Sequence, residues 1–261
     1  QALAAHEAAA AELGDARELT PEAALRAAPQ CAVLRGVALT RSDARAAGGL
    51  AWLMRAAHAF GMPQAWFNAA ACVLNGVRAE GVPVDDVEAF LQRAAAGGFT
   101  PAMMQLAQMA LQAARAADAL RWYRRAAALG VADALAACGM LLHAGAPGGG
   151  GDPAQAVEPD LAAAMRMYER AGELGHVVAL YNLATVYCDG APPAVERDVA
   201  RALELYERAA AAGHADAYFN AGVLLLTGDG VEGGAQPARA VELFAAGAEL
   251  GSAQCVQNCA A

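Results

Sequence analysis

The sequence predicts an all-α protein, an α/α solenoid of antiparallel helix pairs stacked in a right-handed superhelix. Three observations carry this. The string Gly-x-x-x-Ala recurs down the 261-residue chain, starting at Gly61, Gly98, Gly130, Gly175, Gly213 and, with cysteine in place of alanine, Gly251. The intervals are 37, 32, 45, 38 and 38 residues, a period at which each unit buries its apolar face only against its neighbours. Apolar residues ahead of each string keep helical spacing, as Leu203, Tyr206, Ala209 and Ala210 do. Turn-forming residues, Asp189-Gly190 and Gly228-Asp229-Gly230, split each unit into two helices.

Taken in order, residues 1–60 form a divergent N-terminal helical unit. The stretch 5–14 ends in the same Glu-Leu-Gly as residues 173–175, and Thr20-Pro21-Glu22 has a capping threonine followed by proline at the first helical position. The repeat array follows over 61–261, with units starting near 61, 98, 130, 175 and 213 and a terminal half-unit from 251. The unit from 98 has only 32 residues, so its interhelical loop at 113–118 must be tight. The unit from 130 has 45, and its extra length lies in the glycine-rich stretch 146–160, read as an exposed linker or a partner-contacting lid.

The units from 175 and 213 show the roles most clearly. In the second helix, Arg201, Glu204, Glu207 and Arg208 take the polar side. The aromatic positions Tyr123, Tyr168, Tyr206 and Phe244 should be buried between neighbouring helices. Ala209 and Ala210 let the next helix approach, and Gly213 suits the left-handed residue that ends a helix. In the first helix, Ala217, Ala221 and Gly222 are small where a partner backbone should cross. His176 and His214 hold one repeat position, which reads as architectural: a cap on the second helix or packing at the turn. The array stops on a first helix, at 253–261, and an end without a second helix to cover it points to a continuation or a partner.

Composition narrows the function. Residues are 57% hydrophobic but only 6% aromatic, and the difference is alanine, the best helix former. No lysine occurs, which excludes a Walker-type phosphate loop, a lysine Schiff base and kinase chemistry. Serine occurs only at 42 and 252, neither in a Gly-x-Ser-x-Gly setting. The six cysteines include no Cys-x-x-Cys, so no metal or other cofactor is expected. Cys255 and Cys259, four apart on one helix, read as small buried hydrophobes. A net charge of −9 without a basic stripe argues against direct nucleic-acid binding. The one dense basic piece, Arg121, Arg124 and Arg125, reads as a solvated helix face, or as a dock for an acidic partner. No apolar run reaches the length of a transmembrane helix. The chain opens on Gln1 rather than methionine, as in a processed or partial product.

The repeat resembles the Sel-1-like repeat, a cousin of the tetratricopeptide repeat. The unit from Ala179 matches that pattern at Tyr181, Asn182, Leu183, Tyr187, Gly190, Val195, Asp198, Ala202, Tyr206, Ala209, Ala210, Gly213 and Ala217, with Arg201 at the family's lysine. The next matches at Asn220, Gly222, Gly228, Gly230, Val231, Ala240, Phe244 and Gly251. The resemblance implies a helical adaptor without catalytic activity. Some secreted relatives carry disulfides within every unit. That regular pairing is missing here, which favours a reducing compartment, with an organelle open because the start methionine is absent.

The resemblance also places a binding surface. In tetratricopeptide relatives the first helix lines the concave face, where an asparagine hydrogen-bonds a bound peptide. The matching amide column is Asn68, Gln105, Asn182, Asn220 and Asn258, with Phe67, Tyr181 and Phe219 directly before three of its members. An amide offers both donor and acceptor and reads a backbone without regard to sequence. The competing reading is that each asparagine ties one repeat to the next. Two functions follow: a non-catalytic adaptor holding a peptide or helix of a partner protein in its groove, or a structural subunit docked permanently in a larger organellar or membrane-associated complex.

Overall fold

The computed structural model describes residues 33, 37, 46–81, 87–149, 152–228 and 230–259. The helices expected at 5–14 and from Thr20 lie outside the described residues. Two compact units divide the chain, residues 1–106 and 107–261. No strand occurs among the described residues, and the extended backbone pairs only at two isolated bridges.

The first unit holds α1 (Ala46–Phe60), α2 (Pro63–Leu74), α3 (Val87–Ala96) and the beginning of α4 (Thr100–Gln112). α1 packs on α2 and α2 on α3. Leu50, Leu53, Trp66, Phe90 and Leu91 are buried in this unit. The Arg93 guanidinium lies 4.6 Å from the centre of the Trp66 ring. Gly97 follows α3 closely under Pro63, where a Cβ would come within 2.3 Å of the proline ring.

The second unit continues through α5 (Ala116–Ala128), α6 (Ala132–Ala144), α7 (Leu161–Glu173), α8 (Val177–Asp189), α9 (Val199–Ala211), α10 (Ala215–Thr227), α11 (Pro237–Glu249) and α12 (Ala253–Cys259). Each helix from α5 onward packs against the next in sequence. The tight connection expected at 113–118 is three residues long, with Ala114 in the left-handed region at φ 54°.

Sequence chemistry explains where these helices start and stop. Asp160 and Asp198 accept hydrogen bonds from the backbone N–H of Ala163 (2.8 Å) and Arg201 (2.9 Å), capping α7 and α9. At the other end of α9, Gly213 sits at φ 94°, a left-handed conformation that glycine adopts without steric cost. The two histidines cap, or fail to cap, the following helix rather than the preceding one. His176 Nδ1 accepts from Ala179 N at 3.1 Å and so starts α8. His214 stands at the same place before α10 without a side-chain capping bond.

The four aromatic residues of the second helices are buried as expected: Tyr123, Tyr168, Tyr206 and Phe244 are 1–5% exposed. Each of two rings lies on a glycine of the first helix in its own pair. A Cβ at Gly139 or Gly222 would stand 2.5 Å from the ring of Tyr168 or Phe244. The described residues of the glycine-rich stretch are tied to one another. Val157 is buried, Ala146 and Val157 exchange backbone bonds of 2.8 and 2.9 Å, and Asp152 caps a short 3-10 turn at Pro153–Gln155. Ala191 and Val195 form the equivalent bridge between α8 and α9.

Candidate protein-binding surface

The amide column lies on the first helices of the pairs. Asn68, beside Phe67 on α2, and Gln105 on α4 are half-buried in the first unit, where Phe67 meets Phe99 at 5.1 Å between ring centres. In the second unit, Tyr181 and Asn182 on α8 and Phe219 and Asn220 on α10 are half-buried. Asn258 on α12 is exposed and donates to the Gln254 carbonyl at 2.9 Å. Register 137, between Gln105 and Asn182, holds alanine, so the column is interrupted.

Around Tyr181 the side chains form a connected polar cluster. Asn220 Nδ2 donates to Tyr181 Oη at 3.2 Å, across 39 residues of sequence. The Thr185 hydroxyl donates to the Tyr181 carbonyl at 3.1 Å, and its oxygen lies 3.0 Å from Tyr206 Oη. The His214 ring stacks on Tyr181, with ring centres 4.4 Å apart and planes 10° from parallel. Stacking replaces capping here, and His214 Nδ1 is enclosed with no hydrogen-bond partner among the described residues. The sequence reading singled out neither Thr185 nor the stacked histidine as a neighbour of the column. The available signal was Thr185 lying one helical turn after Tyr181.

Buried tyrosine hydroxyls reach the amides of the following pair. Burial pushes the Tyr168 hydroxyl up to about 12, opposed by a hydrogen bond with Asn182. It pushes Tyr206 equally far, opposed by hydrogen bonds with Thr185 and Asn220. Asn220, through its bond to Tyr181 Oη, joins one pair to the next, and Asn182 lies beside the Tyr168 hydroxyl of the pair before it. Each amide has two donor hydrogens and two acceptor sites, so these bonds leave capacity for another group. Phe219 packs beside Phe244, 6.1 Å between ring centres, at the edge of a core formed by Leu225, Ala240, Phe244 and Cys255.

Two open grooves lie at the loops joining first to second helices. One is lined by Tyr187, Glu196, Arg197 and Asp198, the other by Arg121, Arg124, Glu158 and Asp160. Among the described residues, no three His, Cys, Asp or Glu side chains converge in a way that would hold a metal ion, and no helix is long and apolar enough to cross a membrane.

The Sel1 repeat model matches five consecutive stretches, residues 63–99, 100–131, 132–176, 177–214 and 215–252. The chain belongs to the Sel1-repeat family. Sel1 repeats mediate protein interactions, and proteins built from them are generally scaffolds without catalytic activity. No curated protein matches the chain in sequence. Among solved structures it is similar to a protective antigen of uropathogenic Escherichia coli strains that displays an SLR fold, at 23% identity and a TM-score of 0.71. That match covers 91% of this chain and 49% of the other, so the Sel1 chain described here spans about half the length of that antigen. It is also similar to a Sel1 repeat protein from Oxalobacter formigenes, at 22% identity and a TM-score of 0.59, over 87% of each chain. Consecutive helix pairs pack here as in those solenoids.

Proposed function

We propose that this Sel1-repeat chain is an interaction scaffold whose partner, a peptide or helix of another protein, lies along the first helices of the pairs. The residues proposed to meet it are Phe67, Asn68 and Gln105 in the first unit and Tyr181, Asn182, Phe219, Asn220 and Asn258 in the second. The observation that carries the reading is the repeated placement of a large, half-buried ring beside an amide with spare hydrogen-bonding capacity, at Phe67–Asn68, Tyr181–Asn182 and Phe219–Asn220. Rings left half in solvent gain burial from a partner, and amides supply backbone bonds without demanding a sequence. The alternative, a permanently docked subunit of a larger assembly, uses the same solenoid but predicts stoichiometric co-purification.

The test combines native-source affinity purification with variants. Asn68→Ala with Asn258→Ala removes two amides that make no bond to another pair among the described residues, and should leave the unfolding midpoint unchanged while weakening capture. Asn182→Ala with Asn220→Ala should weaken capture and lower stability together. If capture per folded molecule is the same in all of them, the amides are ties between pairs and the first-helix surface is not where the partner binds. A partner retained in fixed ratio through high-salt washing favours the docked subunit.

A further inference from the structure

A second surface lies on the second helices and is independent of the amide column. On α5, Trp122, Arg125 and Leu129 stand at i, i+3 and i+7, one face of a helix. On α7, Met167, Arg170 and Leu174 repeat that spacing in the same register. Leu129 and Leu174 are 56% and 54% exposed, and both arginines are exposed. The Arg125 guanidinium lies 4.7 Å from the Trp122 ring centre, which holds the pair as one flat basic platform. His176 Nε2 stands 3.5 Å from Asp133 Oδ1, so the turns that carry Leu129 and Leu174 are tied side by side. Arg121 and Arg166, one turn earlier on the same faces, extend the basic strip.

Nearby acids are otherwise engaged. Asp118 pairs with Arg115 and Arg121, Glu169 lies beside the Tyr187 hydroxyl, and Asp133 faces His176. Arg125, Arg166 and Arg170 have no acidic partner among the described residues; Glu173, exposed at the end of α7, and Glu158, exposed in the groove beside Arg121, are acids left at the rim. The pattern fades further along. On α9 the matching positions are buried Leu205, Arg208 and Ala212, and on α11 they are Leu243, Ala246 and Leu250.

From this geometry we infer that α5 and α7 present a docking site for an acidic amphipathic helix of a partner protein. Its carboxylates meet Arg125, Arg170 and the flanking arginines, and its apolar face covers Trp122, Leu129, Met167 and Leu174. Tryptophan, methionine and arginine are the side chains that interface centres favour. An anionic lipid surface would also attract arginine and tryptophan, but a chain of net charge −9 is repelled by it as a whole. A protein helix carries its acids only where the arginines are.

The probe is a fluorescent helical peptide with leucines on one face and glutamates on the other, compared with its lysine counterpart by anisotropy on the full chain. The glutamate peptide should bind, the lysine peptide should not, and binding should weaken as salt shortens the screening length below about 10 Å. Arg125→Glu with Arg170→Glu should weaken binding at least tenfold, on the order of 1.4 kcal/mol. Leu129→Ser with Leu174→Ser should do likewise, all with unchanged circular dichroism. Arg201→Glu with Arg239→Glu, of equal charge change elsewhere, should bind as the parent does. Equal binding of both peptides, binding of neither, or equal loss in the control pair overturns the inference. So does pelleting with phosphatidylserine vesicles that the Arg125/Arg170 pair abolishes while the peptide fails to bind, or self-association that disappears in the Leu129/Leu174 pair.

Discussion

Tyr206 does two separable jobs. Its ring is buried between α8 and α9, and its hydroxyl lies 3.0 Å from the Thr185 oxygen and close to the Asn220 amide. Tyr206→Phe removes only the second, and should cost about 1 kcal/mol, the net value of an ordinary hydrogen bond with some added penalty for the amide it leaves. Tyr206→Ala removes both and should cost about 3–5 kcal/mol. Urea unfolding of the two variants separates the terms, and equal midpoints for phenylalanine and tyrosine would show that the hydroxyl contributes nothing. Cys138 is a second residue whose chemistry is set by burial. Its thiol is pushed up to about 11, with Arg124 pulling the other way. Alkylation near neutral pH should therefore be blocked in the folded chain and appear on unfolding.

Among the elements, the second helices are capped unequally. Asp160 and Asp198 cap α7 and α9, whereas α5 begins after Arg115 and α11 after Gln236 without side-chain caps. Asp198→Ala should lower stability by about 1 kcal/mol, readable as a shifted thermal midpoint. Arg115→Asp would gain a cap but lose the Arg115 contact with Asp118, so it should be close to neutral. The helices themselves were legible in the sequence because period, small residues and aromatic spacing all agree at each position. Gly139 and Gly222 match the register of Ala184, and the rings of Tyr168 and Phe244 lie on the two glycines. Less legible was stretch 146–160. Its glycines suggest a flexible chain, but the Val-x-x-Asp at 157–160 repeats that at 195–198 and closes the same bridge. The polar cluster was hidden for another reason. An asparagine facing a partner and one bonded to a tyrosine in the preceding pair look identical in sequence. Only the position of the tyrosine hydroxyl, as at Tyr181 Oη beside Asn220, separates them.

At the scale of the molecule, burial of ionisable hydroxyls and thiols makes stability depend on pH. Tyr168 and Tyr206 rise from 10.0 to about 12 and Cys138 from 9.0 to about 11. The unfolded chain releases these protons at lower pH than the folded one, so fewer protons are bound on unfolding and stability falls as pH rises. The contribution is intact below pH 9 and is lost progressively through 9 to 12. Denaturant midpoints should be flat from neutrality to about pH 8.5 and decline above that. Tyr168→Phe with Tyr206→Phe should make the decline shallower. A midpoint that is insensitive to alkali would mean that these groups are solvated in the folded chain.

The tyrosine-to-asparagine joint has a consequence for how such a chain changes length. Tyr168 meets Asn182 as Tyr206 meets Asn220, and Glu169 stands in register with Glu207, which pairs with Arg239. Excision of residues 177–214 would therefore bring Tyr168 to Asn220, put Glu169 before Arg239, and leave His176 ahead of Ala215 as His214 is now. Both new contacts pair the same residue types as the old ones. The shortened chain should fold cooperatively, with a smaller dependence on denaturant in proportion to the surface lost. Excision of residues 215–252 would not be equivalent, because Tyr206 would then face Asn258, an exposed amide that donates to the Gln254 carbonyl of its own helix, and Glu207 would lose Arg239. Gene-level gain or loss of a unit is thus tolerated at one joint and resisted at another, and circular dichroism of the two deletions would rank them.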